Sequence, residues 1–273
     1  MNRNQKVINE FGDEWKEFNF SEIEKNELIK SFNQYFEIFP WDQLPENSSG
    51  FDMGCGSGRW AQFVAPRVKK LFCIDPSEAI NVAKKNLDKF DNIKFLKETT
   101  EDCSIKANSQ DFGYSLGVLH HIPDTNKALK DCAKLLKSKS PFLLYLYYNF
   151  ENKPLWFRFV WKISDLIRNF ICKLPQKQKK RLCNLIAYLI YFPLSRLSSI
   201  LEKIGINVEN IPLSDYRSKP FYMCKNDALD RFGTRLEQRF SKSEIINMLK
   251  SSGFKNIKFS NKTPYWVCLA EKI

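Results

Sequence analysis

The chain has 273 residues, 43 Lys and Arg against 31 Asp and Glu, a formal charge of +12, eight cysteines and two histidines. With 43% hydrophobic residues and 23 Phe it can bury a sizeable core, which excludes intrinsic disorder and collagen-like or coiled-coil architecture. Two histidines leave little for a zinc site, and the scattered cysteines form no C-x-x-C pair, so neither a metal knuckle nor a thioredoxin-like motif is expected.

No charged, apolar and small-residue leader opens the sequence, so reduced thiols and a cytoplasmic setting are expected. Residues 1–48 are expected to form an N-terminal helical cap. Over 22–39, Ile23, Leu28, Ile29, Phe32, Phe36 and Phe39 recur at roughly helical spacing, and Pro40, Pro45 and the Ser48-Ser49-Gly50 turn close the segment.

Residues 49–150 alternate short apolar strands with amphipathic helices. The strands are predicted at 50–53, 70–74, 93–96, 112–116 and 141–147, with helices at 60–65, 78–90 and 125–136. Strand and helix in regular succession imply an α/β fold with a parallel, Rossmann-like doubly wound sheet, which binds ligands at the carboxyl ends of its strands.

Residues 151–235 break this rhythm and form a mainly helical, basic and aromatic insertion. A helix is predicted over 155–171, with Arg158, Lys162, Asp165 and Asn169 on one face and a broad aromatic face opposite. A basic run at 177–181 precedes an apolar helix at 182–191. The apolar run containing it, 182–194, is interrupted by Asn184 and Pro193 and is too short for the ~20 residues a bilayer crossing needs, so no membrane span is expected. Residues 236–273 resume the core pattern. They hold a helix at 241–251 with a Ser241/Glu244 capping box, then strands at 257–260 and 265–270.

The strongest chemical signal is the run from Phe51 to Trp60, which leaves a buried strand, turns on Gly54, Gly56 and Gly58 and enters a helix. Asp75 ends the next strand, where a carboxylate hydrogen-bonds ribose hydroxyls. A nicotinamide cofactor is the rival ligand, but its fingerprint is G-x-G-x-x-G. The G-x-G-x-G spacing here favours a nucleoside without a pyrophosphate.

With the Asp52–Gly58 loop, the acid in Cys73-Ile74-Asp75-Pro76, the 111–122 segment and the closing 252–257 segment, the sequence resembles the class I S-adenosylmethionine-dependent methyltransferases of the broad small-molecule type. The resemblance implies a seven-stranded methyltransferase fold with S-adenosyl-L-methionine as cofactor. The insertion before the last two strands would then serve as an acceptor lid. It also implies cofactor contacts from Asp52, Gly54, Cys55, Gly56 and Gly58, from Asp75 and Pro76, from Thr100, Glu101 and Asp102 near the adenine, and from Ser115, Leu116 and Gly117 near the methionine part. Family members often carry an acid where this chain has Thr99. The reaction would be an in-line SN2 transfer to an O, N or S nucleophile of a small molecule, either anionic or sugar- or lipid-linked.

His120 and His121 follow the fourth strand, near the expected position of the methyl group, and are the catalytic candidates, His121 as base or orienter. Tyr148 and Asn149 after the fifth strand are candidate acceptor contacts. In the insertion, Tyr216, Arg217 and Arg235 are further candidates, with Arg231 and Arg239 as alternative anion binders. Residues 151–239 hold 17 Lys and Arg against 8 Asp and Glu, which is +9 of the +12. Two other functions compete. One is an RNA or protein methyltransferase using the basic insertion, but the Asn-Pro-Pro-Tyr motif and a separate RNA-binding module are absent, which weighs against nucleic acid. The other is a peripheral membrane protein anchored through 154–173.

Overall fold

The computed structural model describes residues 2–17 and 25–273. Two compact units emerge. One combines residues 28–149 and 236–273 with the N-terminal helix, and the other holds residues 150–235 together with 25–27.

The first unit is built on a seven-stranded sheet. In chain order it comprises α1 (Gln5–Glu17), α2 (Lys25–Tyr35), β1 (Ser49–Met53), α3 (Ala61–Val64), β2 (Lys70–Ile74), α4 (Ala79–Asn86), β3 (Ile93–Leu96), β4 (Phe112–Leu116), α5 (Thr125–Leu135) and β5 (Pro141–Tyr145). After the second unit follow α10 (Lys242–Ser251), β6 (Phe254–Phe259) and β7 (Val267–Lys272), with α6 to α9 described below. The strand order is β3-β2-β1-β4-β5-β7-β6. The first five strands are parallel, while β7 inserts antiparallel between β5 and β6. Strand order reverses between β1 and β4, the switch point where such sheets take ligands.

The central strands approach closely because glycine faces phenylalanine across the pair. Phe51 sits opposite Gly113 and Gly50 opposite Phe112. A Cβ on Gly113 would come within 2.5 Å of the Phe51 ring, and one on Gly50 within 2.5 Å of the Phe112 ring. Each ring therefore fills the space its partner leaves, and β4 is buried throughout. One face of the sheet carries Phe51, Leu129, Phe142, Leu249 and Phe254, with α5 and α10. The other carries Phe32, Phe36, Val64, Leu71, Ile80 and Phe112, with α2, α3 and α4.

The capping box of α10 forms as its sequence predicts, with Ser241 Oγ accepting from Glu244 N at 3.1 Å and Glu244 Oε2 accepting from Ser241 N at 2.7 Å. Several boundaries differ: α4 ends at Asn86, not at 90, and α2 at Tyr35, not at 39. Helix α10 is followed directly by β6 from Phe254, because Gly253 (φ +88°) reverses the chain in one residue. Strand β7 starts at Val267, not at 265, since 261–266 form a bend and turn. Strand β5 ends at Tyr145. Helix α1 lies within the expected 1–48 cap, ahead of its 22–39 helix, of which Glu22 and Ile23 lie outside the described residues.

The second unit contains α6 (Leu155–Ile171), α7 (Gln176–Ile186), α8 (Phe192–Lys203) and α9 (Phe221–Gly233). A π-helical turn, Ala187–Tyr191, joins α7 to α8, so one helix runs from Gln176 to Lys203. This corrects the short helix expected at 182–191. Pro193 lacks an N–H, but it sits in the first turn of α8 directly after the widened turn, where the missing donor breaks no bond. Among the described residues this helix alone is long and apolar enough, by length and composition, to cross a membrane, contrary to the expectation from the 182–194 run.

The orientation of α6 also departs from the simple reading of its polar face. Asp165 and Arg168 turn inward: Arg168 Nε donates to Asp165 Oδ1 at 2.8 Å and its Nη1 donates to the Thr234 carbonyl at 3.1 Å. Arg231 of α9 approaches the same carboxylate at 3.5 Å. Burial pushes the Asp165 carboxyl up, but the Arg168 and Arg231 guanidiniums outweigh it and hold it below the usual range. Satisfied ion pairs can line an inner helix face, whereas an unpaired buried charge cannot.

Candidate active site at the carboxyl end of the sheet

The loop after β1 folds onto β2. The N–H groups of Gly54 and Cys55 both donate to the Ile74 carbonyl, at 2.8 and 3.0 Å. Gly54, Gly56 and Gly58 all adopt positive φ, +81°, +53° and +82°. At Gly54 a side chain is doubly excluded, since a Cβ would lie 2.5 Å from Val118 Cγ2 and 2.8 Å from Val118 Cβ. The loop is thus a bare backbone surface at the switch point.

Asp75 sits beneath this loop with its carboxylate fixed. Its Oδ2 accepts the Gly56 N–H at 3.0 Å, and its Oδ1 accepts the Ser77 N–H at 2.9 Å and the Ser77 hydroxyl at 2.6 Å. Burial raises the Asp75 pKa against the pull of these donors. Pro76 is half-buried beside it. Cys55 is buried, and burial together with the neighbouring Cys73 pushes its thiol well up, which keeps it neutral.

Asp52 lies in β1, next to these groups. Burial pushes its carboxyl up to about 8, against the pull of the Tyr114 hydroxyl and with a further push from Asp75. A measurable pH dependence follows. The folded chain holds this proton up to about pH 8, whereas an unfolded aspartate releases it near 3.8. Across that window the native state binds more protons, so the stabilisation is full below the lower value and is lost as pH rises through the upper one. The melting temperature of the ligand-free protein is expected to decline from about pH 5 to about pH 9, and Asp52→Asn to flatten that decline. An identical slope in the variant would remove Asp52 as its cause.

After β3, Thr100 is buried with its hydroxyl unpartnered among the described residues. Glu101 and Asp102 are exposed and engaged elsewhere. Glu101 accepts the Asn2 N–H at 2.7 Å and pairs with Lys127, which keeps its pKa low. Asp102 closes a turn by accepting the Thr99 N–H at 2.6 Å. At the end of β4, the Ser115 hydroxyl donates to the Met53 carbonyl at 2.8 Å, tying β4 to β1. Leu116 is buried, and Gly117 (φ +79°) faces open space, the nearest atom to an added Cβ being Tyr145 Cδ1 at 3.9 Å.

The histidines occupy a 3₁₀ turn, Leu119–His121, directly after β4. His121 Nδ1 lies 2.7 Å from the Leu236 carbonyl. A carbonyl only accepts, so Nδ1 carries the proton and Nε2 is the basic nitrogen. His120 is fully buried, with both ring nitrogens unpartnered among the described residues, and stacks on Tyr147 at 3.9 Å. Burial, with smaller pushes from His121 and Arg239, drives its pKa well below the usual range and keeps it neutral.

Residues 236–240, where the chain returns to the sheet, run beside the extension of β5 and clamp the histidine turn. Gln238 donates from N to the His120 carbonyl at 3.1 Å and from Nε2 to the Ile122 carbonyl at 2.7 Å. Arg239 lies over the Tyr147 ring, donates from Nε to Glu237 Oε1 at 2.7 Å and from Nη1 to the Tyr148 carbonyl at 3.2 Å. Asn149 N donates to the Phe240 carbonyl at 3.1 Å. Tyr148 and Asn149 thus stand in this seam, and an aromatic series of Trp60, Tyr35, Tyr145 and Tyr147 leads to His120. Spacing in the sequence gave no sign of Gln238, because its partners lie more than a hundred residues away.

The contacts of the N-terminal segment were equally hidden. Asn2 exchanges hydrogen bonds with the Asp124 backbone at 2.7 Å in both directions, Phe11 packs on the His121 ring at 4.8 Å, and Gly12 approaches Glu78. Asn2 and the helix thereby tie together the loops after β2, β3 and β4.

In the second unit, the Tyr216 pKa is raised, first by burial and then by Asp227 beside it. Arg217 forms a bidentate pair with Glu202 at 2.7 and 2.8 Å and donates to the Ser214 carbonyl at 3.0 Å. Arg235 is exposed.

The site's segment of chain, residues 51–144, matches the family model described as a methyltransferase domain, Methyltransf_11. Over 112 residues the chain is 33% identical to a ubiquinone/menaquinone biosynthesis C-methyltransferase of Rickettsia prowazekii, covering 37% of this chain and 45% of that protein. Over 89 residues it is 34% identical to a ubiquinone biosynthesis O-methyltransferase of Saccharophagus degradans, covering 32% and 38%. The matches therefore span less than half the length of these relatives. Among solved structures, a chain of the Haloferax volcanii complex between the Trm112 methyltransferase activator and a methyltransferase superposes with a TM-score of 0.53 at 13% identity, covering 97% of this chain and 98% of that one. A phosphoethanolamine N-methyltransferase of Haemonchus contortus in complex with S-adenosyl-L-methionine gives 0.50 at 15% identity, covering 92% and 43%. At these identities the two structures establish a common fold.

Proposed function

Residues 51–144 form a methyltransferase domain of the class I S-adenosylmethionine-dependent family, and on that premise we propose that the chain methylates a small aromatic acceptor. The observation that carries this reading is the convergence of three features at the carboxyl ends of β1, β2 and β4. These are the bare Gly54–Gly58 backbone, the fixed Asp75 carboxylate and the open space before Gly117. The donor set suits a nucleoside with an amino-acid arm. Asp75 would hold the ribose hydroxyls and the Thr100 hydroxyl would meet the adenine. The Gly54–Gly58 and Ser115–Gly117 backbones would flank the methionine part, with Asp52, Cys55 and Pro76 shaping the walls. When bound, S-adenosylmethionine supplies an activated methyl group on a sulfonium, suited to in-line SN2 displacement.

The acceptor side is aromatic and close to charge-balanced. Arg239 is matched by Glu237, which favours an uncharged ring over an anion. The relatives named for quinone biosynthesis support an aromatic acceptor of the phenol or hydroquinone class. Tyr148 and Asn149 would make its polar contacts. With Nδ1–H anchored on Leu236, Nε2 of His121 would take the hydroxyl proton as the acceptor attacks, while His120, neutral and stacked, supports the Tyr147 ring.

Mass spectrometry of products from a phenol and hydroquinone panel with labelled methyl donor tests the reading. No labelled product from any acceptor, with donor binding intact, would refute the acceptor class. His121→Ala is expected to lower kcat about 100-fold, within the usual range for a lost general base, while leaving donor affinity within about twofold. Equal losses in both would make His121 a structural residue only.

A further inference from the structure

Helix α6 presents its apolar face to solvent. Leu155, Phe159, Leu166 and Phe170, flanked by Trp156 and Ile163, are between 45% and 79% exposed. At about 100° per residue these six side chains fill an uninterrupted arc of roughly 100°, with no polar residue inside it. The inner face instead carries the Asp165–Arg168–Arg231 cluster, so the helix is fixed in the orientation that leaves its hydrophobic stripe outward. The feature continues on the helix from Gln176 to Lys203, where Leu185, Leu189, Leu197 and Ile200 are also exposed. Scattered exposed apolar residues need no explanation, but an uninterrupted stripe along one helix marks an interaction surface.

The charges beside the stripe identify its occupant. Arg158 and Lys162 are exposed along one edge of α6, Lys173 follows its end, and Lys177 and Arg181 are exposed on α7. The only acid in α6 is Asp165, which is engaged within the unit, and α7 contains none. Residues 150–235 hold 16 Lys and Arg against 7 Asp and Glu, an excess of +9.

We propose that this face docks on the surface of an anionic lipid bilayer, with the α6 stripe inserted at the level of the acyl–headgroup boundary and the basic edge on the headgroups. Apolar insertion and basic attraction are the two contributions that hold an interfacial helix in the plane of a membrane. A second copy of this chain would meet the same stripe with like charges at its rim, which disfavours a face-to-face dimer. The inference stands on the exposure and charge of α6 and α7 and does not depend on the methyltransferase reading.

The test is cosedimentation of the whole chain with vesicles of phosphatidylcholine alone and of phosphatidylcholine mixed with phosphatidylglycerol. Binding is expected to the mixed vesicles, with a blue shift of Trp156 fluorescence, and to weaken as salt rises. The pair Phe159→Glu and Leu166→Glu should lower the partition coefficient at least tenfold, and Arg158→Glu with Lys162→Glu should abolish the preference for anionic vesicles. Both pairs lie on the surface, so the melting temperature and the affinity for S-adenosylhomocysteine should stay unchanged, which separates lost docking from a lost fold or a lost cofactor site. Three results would each overturn the proposal. They are absence of binding, undiminished binding by the Phe159/Leu166 pair, and release from natural membranes only by detergent, which would point to a spanning segment at Gln176–Lys203. A concentration-dependent dimer that the Phe159/Leu166 pair loses, without vesicle binding, would assign the stripe to a second copy instead.

Discussion

Replacing Asp75 by Ala is expected to weaken S-adenosylmethionine binding by about 2–3 kcal/mol, roughly 30- to 150-fold in Kd. Three donors from Gly56 and Ser77 already hold its carboxylate, out of about four lone-pair sites that such a group offers. The remaining capacity is what a ribose hydroxyl would use, and a hydrogen bond to a charged acceptor contributes about 1.5–3 kcal/mol. Alanine would also release the Gly56 N–H and loosen the glycine loop. Asn keeps the volume and one acceptor but sets an NH₂ group against a donor, so Asp75→Asn should fall between wild type and alanine. Calorimetry with S-adenosylmethionine and its demethylated product reads both variants. Unchanged affinity in the two would displace the cofactor from this end of the sheet.

The second large effect is expected at Gly54. Gly54→Ala forces a non-glycine residue to φ +81°, costing about 1–2 kcal/mol. It also drives a methyl group into Val118, an overpacking that costs about 1–3 kcal/mol. Val118 is β-branched and approaches with its Cβ as well as both methyl groups, so rotation about χ1 gives no escape. A total near 3 kcal/mol should lower the melting temperature by roughly 10 °C and weaken the cofactor in parallel. Adding Val118→Ala should return the part of the steric cost due to its two methyl groups and leave the Cβ contact and the backbone part, a coupling that a double-mutant cycle reads directly. Losses that simply add would show that Val118 is not what excludes a side chain at position 54.

Much of the candidate site was visible in the sequence because it is local. Gly54, Gly56 and Gly58 lie within five residues of one strand end, and Asp75 ends the next strand. Alternating strands and helices fix a parallel, right-handed winding, so short motifs acquire positions in space. The capping box at Ser241 was legible for the same reason, since all its groups lie within one helical turn.

Other features needed the folded chain. The sequence pointed to Arg217, Arg235 and Arg239 as similar anion-binding candidates. The structure separates them: Arg239 sits over Tyr147 paired with Glu237, Arg217 is engaged by Glu202, and Arg235 is exposed. The clamp of Gln238 on the histidine turn, the seam between 236–240 and the end of β5, and the reach of Asn2 and α1 across three loops are all long-range contacts. Composition and spacing carry no trace of them. The continuous helix through Pro193 escaped prediction because a π turn, and not the local sequence, makes room for the proline.

By itself, the sequence determined the alternating α/β core, the glycine loop and its acid, the capping of α10 and the concentration of positive charge in residues 151–239. These rest on interactions between neighbours in the chain, or on hydrophobic periodicity, and so survive as patterns of residues. Only the tertiary structure decided which nitrogen of His121 carries the proton, how β7 enters between β5 and β6, and which face of α6 looks outward. Periodicity divides a helix into two faces but does not say which is buried. In α6 the pairing of Asp165 and Arg168, joined by Arg231 of α9, turns that side of the helix inward, and the hydrophobic stripe is left for solvent or a partner.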